Sequence, residues 1–140
     1  MQKDVLAAKK ILLENGYCCV LLKDEEEYHS TLRGVRPLLD FLESGGDFRG
    51  FCAADKTVGA GAAHLYVLLG VKSVWANVIS ADGKAVLEQN GIEVIGETLV
   101  PFIINRKGDG MCPIESAVKG ITDSKMALGT IKETLQNLVG

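Results

Sequence analysis

The sequence predicts an α/β protein, a three-layer α/β/α sandwich built on a mixed sheet of about five strands. Residues 51–92 are typical of a short strand, a helix, a buried strand and a second helix, a unit that builds a sheet covered on both faces. Residues 17–33 have the pattern of a β-hairpin between two helices. Strand-like and helical patterns continue to alternate after this unit, so one sheet with mixed pairing is expected.

Composition indicates a single domain, residues 1–140. The 140 residues are 47% hydrophobic, which suffices for one core. A net charge of −3, a pI of about 5.4 and scattered basic residues argue against nucleic-acid binding. No apolar run approaches the roughly 18 residues of a membrane span, and we expect neither a signal peptide nor a membrane partner. The four cysteines show no disulfide pattern, so a cytoplasmic location is predicted.

The N-terminal third contains two predicted helices around the hairpin. Apolar residues recur every three or four positions over residues 4–15, and Gly16 ends this helix. Residues 17–23 are the first predicted strand of the hairpin and residues 27–33 the second. A second helix is predicted over residues 35–44.

A long central helix is predicted over residues 55–70. Asp55 is a natural N-cap because its carboxylate can accept from the first turn, and Gly70 is a natural stop. The segment is apolar on nearly every side, which is typical of a buried helix. Gly59 and Gly61 each cost about 1 kcal/mol of helix propensity relative to alanine, so they indicate close approach of another element or a ligand.

The C-terminal half continues the alternation. A strand is predicted over residues 71–79, a helix over residues 80–91 and a strand region over residues 92–104. Two helices follow, over residues 113–119 and 124–138. The last helix carries a partly apolar stripe that packs on its own sheet or docks on a partner, formed by Met126, Ile131, Leu135 and Leu138.

Three segments carry a family resemblance: residues 33–39 (RGVRPLL), 54–59 (ADKTVG) and 103–115 (IINRKGDGMCPIE). The third is the most specific, because no common structural role explains Asn-Arg followed by Gly-Met-Cys-Pro. With the order of elements, these segments resemble the cytidine-deaminase-like fold. The whole chain is similar to a bacterial family within that superfamily, domain of unknown function 1893. The resemblance implies a fold and no activity.

The resemblance allows the zinc chemistry of deaminases to be tested by residue. Zinc deaminases carry His or Cys followed by Ala-Glu at one helix start, and Pro-Cys-x-x-Cys at the next. At the first start, one register keeps Cys52 and loses the glutamate, and the other keeps the acid Asp55 and loses the ligand. At the second start, Ser80 and Gly83 replace the cysteines. Because a catalytic zinc needs three protein ligands, we predict no metal, no cofactor and no zinc-dependent deamination.

Cys112 is the candidate nucleophile. It is the predicted N-cap of a helix that begins with Pro113, and Glu115 stands where the acid of a capping box belongs. A thiol at a helix N-terminus tends towards the reactive thiolate. The alternative is that Cys112 only caps a short helix, and no base accompanies it in the sequence.

Residues 105–110 (NRKGDG) are a candidate anion-binding loop, because two glycines free backbone N–H groups beside two cations. The alternative is an ordinary exposed turn.

His29 and His64 are interpreted as structural, since neither has a partner at metal spacing. The candidate ligand-binding residues are Asp55, Lys56, Gly59, Ser80, Asn105, Arg106, Gly110, Met111, Cys112 and Glu115.

The leading hypothesis is a protein without zinc that binds a small anionic or nucleotide-like ligand. Its pocket is expected between the helix starts at Asp55 and Ser80 and the loop 105–115. Two alternatives stay open: a metal-free enzyme with Cys112 as nucleophile, and a structural or regulatory interaction module. The last alternative includes a homo-oligomer.

Overall fold

The computed structural model of the protein describes residues 2–139, which contain six helices and five strands. The helices are α1 Gln2–Asn15, α2 Arg36–Glu43, α3 Ala60–Leu69, α4 Ala81–Gln89, α5 Pro113–Ala117 and α6 Ser124–Val139. The strands are β1 Cys19–Lys23, β2 Glu26–Ser30, β3 Cys52–Val58, β4 Ser73–Ser80 and β5 Glu93–Val100.

The five strands form one mixed sheet in the order β2-β1-β3-β4-β5. β1 is antiparallel to β2 and to β3, whereas β3, β4 and β5 are parallel. The antiparallel pair is the predicted hairpin, with Cys19 opposite Ser30 and Lys23 opposite Glu26. The parallel strands are joined by the crossover helices α3 and α4, as parallel pairing requires. The predicted α/β class with a mixed sheet of five strands is confirmed.

Helices cover both faces of the sheet. On one face, α1 packs Val5, Ala8 and Leu12 against Trp75 of β4. On the other face, α2 to α6 enclose a larger core that contains Leu38, Leu65, Tyr66, Leu87 and Ile131 among other buried residues. Successive strand residues point to opposite faces, so residues 53, 55 and 57 of β3 face the larger core and residues 52, 54 and 56 face α1.

The predicted start of the central helix at Asp55 is wrong. β3 continues through Val58, and α3 begins at Ala60 with Gly59 as its N-cap. Residues 55–58 pair with β4 on one side, and Asp55 also lies opposite Cys19 of β1 on the other. Backbone pairing with two neighbouring strands therefore outweighs the capping preference of a single aspartate. The predicted end is correct, since Gly70 has a positive φ of 79° at the helix stop.

One side of the C-terminal helix α6 packs against α3. Ala127 and Ile131 are buried against α3, whereas Met126 and Leu138 are exposed. The predicted stripe is therefore split between core and surface. Across residues 2–139, no helix combines the length and the apolar character needed to cross a membrane.

Candidate functional site

A pocket of about 170 Å³ lies where β3 ends and α3 begins. The first turn of α3 forms its floor, the residue before α2 forms one wall, and the segment from Ile103 to α5 forms the other wall. Most of the lining is apolar. The lining residues are Gly34, Val35, Thr57, Gly59, Gly61, Ala62, Ile103, Cys112, Ile114 and Glu115.

Glu115 is the charged residue of this pocket, and only 3% of it is exposed. Its Oε1 accepts from the backbone N–H of Ala60 at 2.7 Å and from the hydroxyl of Ser80 at 3.1 Å. Its Oε2 accepts from the backbone N–H of Ile103 at 2.9 Å. One carboxylate therefore joins the start of α3, the start of α4 and the segment after β5.

The predicted capping box at Cys112 and Glu115 is wrong. The Cys112 side chain makes no cap hydrogen bond, and its backbone N–H donates to the Ile103 carbonyl at 2.7 Å. Glu115 is thereby free to reach across to α3, whose own N-cap residue, Gly59, has no side chain to satisfy the first turn.

The predicted close approach at Gly59 and Gly61 is confirmed. A Cβ on Gly59 would lie 2.9 Å from Glu115 Oε2 and 3.0 Å from a side-chain carbon of Ile103. A Cβ on Gly61 would collide with the Ile114 side chain. These two glycines let Ile103 and α5 pack closely against the first turn of α3.

Asp55 lies on the same face of β3 as Thr57, deeper in the core. Its Oδ2 accepts from the Tyr66 hydroxyl at 2.7 Å and its Oδ1 accepts from the Thr57 N–H at 3.1 Å. Burial raises the pKa of Asp55 from 3.8 to about 7, although these hydrogen bonds act against the rise. Asp55 is therefore buried below the pocket and is not one of the residues that line the pocket.

Cys19 extends this buried polar cluster. Its Sγ lies 3.3 Å from the Tyr66 hydroxyl. Either of the two groups can donate in this contact. Burial raises the pKa of Cys19 well above its ordinary value, which keeps the thiol protonated.

Cys112 lines the pocket and is half-buried. Among the residues that the structure describes, no hydrogen bond engages its thiol. Cys112 shares the pocket lining with Ile103 and Glu115. The remaining cysteines, Cys18, Cys19 and Cys52, lie outside the lining.

The loop 105–110 is an exposed turn that closes on itself. Asn105 donates its amide to Asp109 at 2.8 Å and its backbone N–H to the Gly110 carbonyl at 2.8 Å. Met111 pairs with Ile104 below the turn, directly beside the pocket residues Ile103 and Cys112. Asn105, Gly110 and Met111 therefore shape the wall that carries the pocket lining, and Arg106 is exposed at the tip.

The structure brings together only part of the predicted site. Gly59, Cys112 and Glu115 line one pocket, and Ser80 holds Glu115 from behind while capping α4 through the Gly83 N–H at 3.0 Å. Lys56 is exposed on β3, and the alternation of the strand directs it to the α1 face, away from the pocket.

His64 has two partners that fix its role in the fold. Its Nε2 lies 3.1 Å from the Ile121 carbonyl, which can only accept, so Nε2 carries the proton. In the neutral ring, Nδ1 then accepts from the Ser124 hydroxyl at 2.9 Å. Burial lowers the pKa of His64. The His64 side chain therefore joins α3 to the start of α6, which agrees with the interpretation of His64 as a structural residue.

The residues at the two helix starts do not fit a zinc ion. The predicted ligand position Cys52 lies inside β3, and the true start of α3 has Val58, Gly59 and Gly61. A Cβ on Gly83 would lie 3.0 Å from the backbone of Gly59, so the two helix starts touch each other. Among residues 4–138, no three His, Cys, Asp or Glu side chains are placed to hold a metal.

Sequence reasoning missed the apolar lining of the pocket. The hydrocarbon side chains of Val35, Ile103 and Ile114 do not mark a site in a linear sequence, and a single hydroxyl such as that of Thr57 is too common to mark one. One signal was available, because each of these residues lies in a segment that carries the family resemblance.

A family model and one solved structure match nearly the whole chain. The model described as "Domain of unknown function (DUF1893)" matches residues 7–135. A solved structure of a DUF1893 family protein from Thermotoga maritima has a TM-score of 0.85 and 21% identity. The match covers 98% of this chain and 91% of that chain. At this identity the likeness shows a shared fold. No curated protein matches the chain.

Deaminases are also among the similar solved structures. The apo dCMP deaminase of cyanophage S-TIM5 has a TM-score of 0.45 and 17% identity, with 68% of this chain and 94% of that chain covered. A Thermotoga maritima diaminohydroxyphosphoribosylaminopyrimidine deaminase/5-amino-6-(5-phosphoribosylamino)uracil reductase has the same two values. There the match covers 84% of this chain and 39% of that chain. Likenesses at this level say nothing about metal, substrate or activity.

Proposed function

We propose that this chain, which belongs to the family described as Domain of unknown function (DUF1893), binds a small nucleotide-like molecule in the pocket at the start of α3. The flat, uncharged part of the ligand enters the pocket, and an anionic part faces the exposed loop 105–110. The observation that carries the proposal is the apolar pocket of about 170 Å³ with one buried carboxylate in its wall.

The first turn of α3 offers hydrogen-bond donors to the flat part of the ligand. Gly61 and Ala62 line the pocket and belong to the turn whose N–H groups have no acceptor within the helix. A carbonyl oxygen or ring nitrogen can accept from this turn while the ring lies against Val35, Ile103 and Ile114. The contact combines apolar burial with a directed hydrogen bond.

The position of Glu115 determines which end of the ligand enters the pocket. The carboxylate already occupies the start of α3, where an anion would otherwise bind, and it would repel a second anion. Arg106 and Lys107 are exposed at the tip of the turn whose base forms the pocket wall. An anionic group therefore belongs at the loop, outside the apolar pocket.

Native mass spectrometry of protein purified without chelator tests this proposal. The wild type is compared with Thr57→Tyr, because Thr57 is exposed at the pocket and a tyrosine there fills the space without disturbing a buried group. The matched control is Asn77→Tyr, an exposed position on β4 that faces α1. A retained organic mass is expected in the wild type and the control and is lost in Thr57→Tyr.

Two results would contradict the binding proposal. One is equal retention of the organic mass in Thr57→Tyr, which would place the ligand elsewhere. The other is stoichiometric zinc, which would reopen hydrolytic deamination. The same spectra report the number of subunits and thereby test the alternative of a homo-oligomer.

A second candidate function is covalent chemistry at Cys112, favoured by its place in the pocket wall. We propose that the Cys112 thiol adds across an activated double bond of a ligand held beside it, so that sulfur bonds to one carbon, the thiol proton passes to the other and no group leaves. Its rate of alkylation by iodoacetamide should exceed that of Cys18, which is also half-buried, and should fall in Thr57→Tyr. Alkylation of Cys112 no faster than that of Cys18 would remove this candidate.

A further inference from the structure

β5 is an edge strand whose outer side has no partner strand. It is the last strand of the sheet, and within residues 2–139 its one paired neighbour is β4. The N–H of Glu93 donates to the Lys72 carbonyl beside β4 at 3.1 Å, so the backbone groups of Glu93 point towards β4. Because this direction alternates along a strand, the N–H and C=O groups of Val94 and Gly96 point outward. The edge can therefore accept one more strand.

The two edges of the sheet differ in their protection against such pairing. Proteins protect edge strands by making them short or by placing charges, prolines or bulges in them. The opposite edge, β2, has five residues and begins with Glu26 and Glu27. β5 has eight residues, and it contains neither lysine nor proline. Its Glu97 carboxylate is held by Lys9 at 3.2 Å and by the Trp75 N–H at 2.9 Å. The structure therefore leaves β5 more open to pairing than β2.

A groove of about 300 Å³ lies at this edge, between β5 and α4. Its lining combines apolar side chains with one cation, and consists of Ile79, Lys84, Val94, Ile95, Gly96 and Leu99. Leu99 is 58% exposed, and two further apolar residues soon after the strand, Phe102 and Ile104, are also exposed. Apolar surface beside outward-pointing backbone groups is the combination that a pairing strand uses for affinity.

The charges of α4 fit a second copy of this chain. Lys84 lines the groove, and Glu88 lies four residues later, on the same side of the helix. Among residues 4–138, neither side chain forms an ion pair. A two-fold axis that pairs β5 antiparallel with its copy also sets the two α4 helices antiparallel on one face of the joined sheet. In that arrangement Lys84 of each copy meets Glu88 of the other.

We propose that β5 pairs antiparallel with β5 of a second copy, so that two sheets of five strands become one continuous sheet. Lys84 and Glu88 form two reciprocal ion pairs across the two-fold axis. This surface shares no lining residue with the pocket at α3, so the inference does not depend on the proposed ligand.

Charge reversal tests whether the partner is a second copy. Dimerisation of Lys84→Glu and of Glu88→Lys is measured by sedimentation equilibrium over a series of concentrations. Each variant alone should dimerise about tenfold or more weakly than the wild type, because like charges then face each other across the axis. An equimolar mixture of the two variants should recover the wild-type affinity, since every pair is again of opposite charge. The control Lys10→Glu, which reverses one member of an exposed pair on α1, should dimerise like the wild type.

Amide hydrogen exchange, followed by NMR, tests whether β5 itself forms the contact. The amides of Val94 and Gly96 should exchange about tenfold or more slowly in the wild-type dimer than in the monomer obtained by dilution. The amide of Ile95 points to β4 and should be protected in both states. A dimer formed through another surface would not slow Val94 and Gly96 selectively.

Three results would overturn the inference. The first is a wild-type protein that stays monomeric at about 1 mM. The second is a dimer in which Val94 and Gly96 exchange as fast as in the monomer. The third is a mixture of Lys84→Glu and Glu88→Lys that dimerises no better than either variant alone.

Discussion

Asp55 is a buried carboxyl group without a cationic partner among residues 4–138. Burial raises its pKa from 3.8 to about 7, so the folded protein holds a proton that the unfolded chain has already released. Stability should therefore fall as the pH rises from about 4 to about 7, and level off above that range.

Asp55→Asn should remove this dependence on pH. Relative to the variant, the wild type should lose about 3–4 kcal/mol of unfolding free energy between pH 4.5 and pH 8. Urea denaturation of both proteins across this range measures the difference. The control is Asp40→Asn, at an exposed position of α2. A parallel pH profile for wild type and Asp55→Asn would refute the buried, protonated carboxyl.

Tyr66 supplies the hydroxyl at the centre of the buried polar cluster. Tyr66→Phe removes the hydroxyl that hydrogen-bonds with both Asp55 and Cys19, and it should cost about 1–3 kcal/mol of unfolding free energy. Tyr28→Phe is the matched control, because Tyr28 is 42% exposed and its hydroxyl makes no hydrogen bond among the described residues. Equal stability of the two variants would contradict the role given to the Tyr66 hydroxyl.

At the scale of elements, the contact of α3 with α5 depends on Gly61. Gly61→Ala improves helix propensity but drives a methyl group into Ile114, so we expect a net loss of about 1–3 kcal/mol. Gly129→Ala, inside α6 with open space around it, should instead gain about 0.5–1 kcal/mol. Denaturant unfolding measures both. Stabilisation by Gly61→Ala would show that the two helices do not pack this closely.

His64 joins α3 to α6 as a neutral ring. Its lowered pKa means that below about pH 6.5 the unfolded chain takes up a proton more readily than the folded chain, so stability falls as the pH falls. This trend opposes that of Asp55, and single variants separate the two. His64→Gln should flatten the acid side of the stability profile relative to the wild type. Identical acid profiles for wild type and His64→Gln would count against a neutral His64.

The order of elements was predictable because it depends on local apolar patterns. The boundary at residues 55–59 was not, because Asp55 has a capping preference that pairing with β1 and β4 overrides. The partners of Glu115 were also not predictable from the local sequence, because its spacing from Cys112 predicts a capping box. Its actual partners at Ala60 and Ser80 are 55 and 35 residues away in the chain.

At the scale of the whole molecule, the pocket joins three segments that are distant in sequence. Val35, the Thr57–Ala62 segment and the stretch from Ile103 to Glu115 meet because β3 ends beside α5. Cys112, Gly59 and Glu115 were predicted as site residues from the helix starts and the unusual motif. The apolar walls could not be predicted, since only the folded sheet brings them together.

We propose that this pocket binds a flat small molecule. The most direct measurement is amide NMR of the labelled protein titrated with a panel of flat heterocyclic probes. We predict that the largest shifts occur at Gly59, Gly61 and Cys112, persist in Asn77→Tyr and disappear in Thr57→Tyr. Shifts confined to another surface, or shifts at these amides that Thr57→Tyr leaves unchanged, would show that the probes do not bind in this pocket.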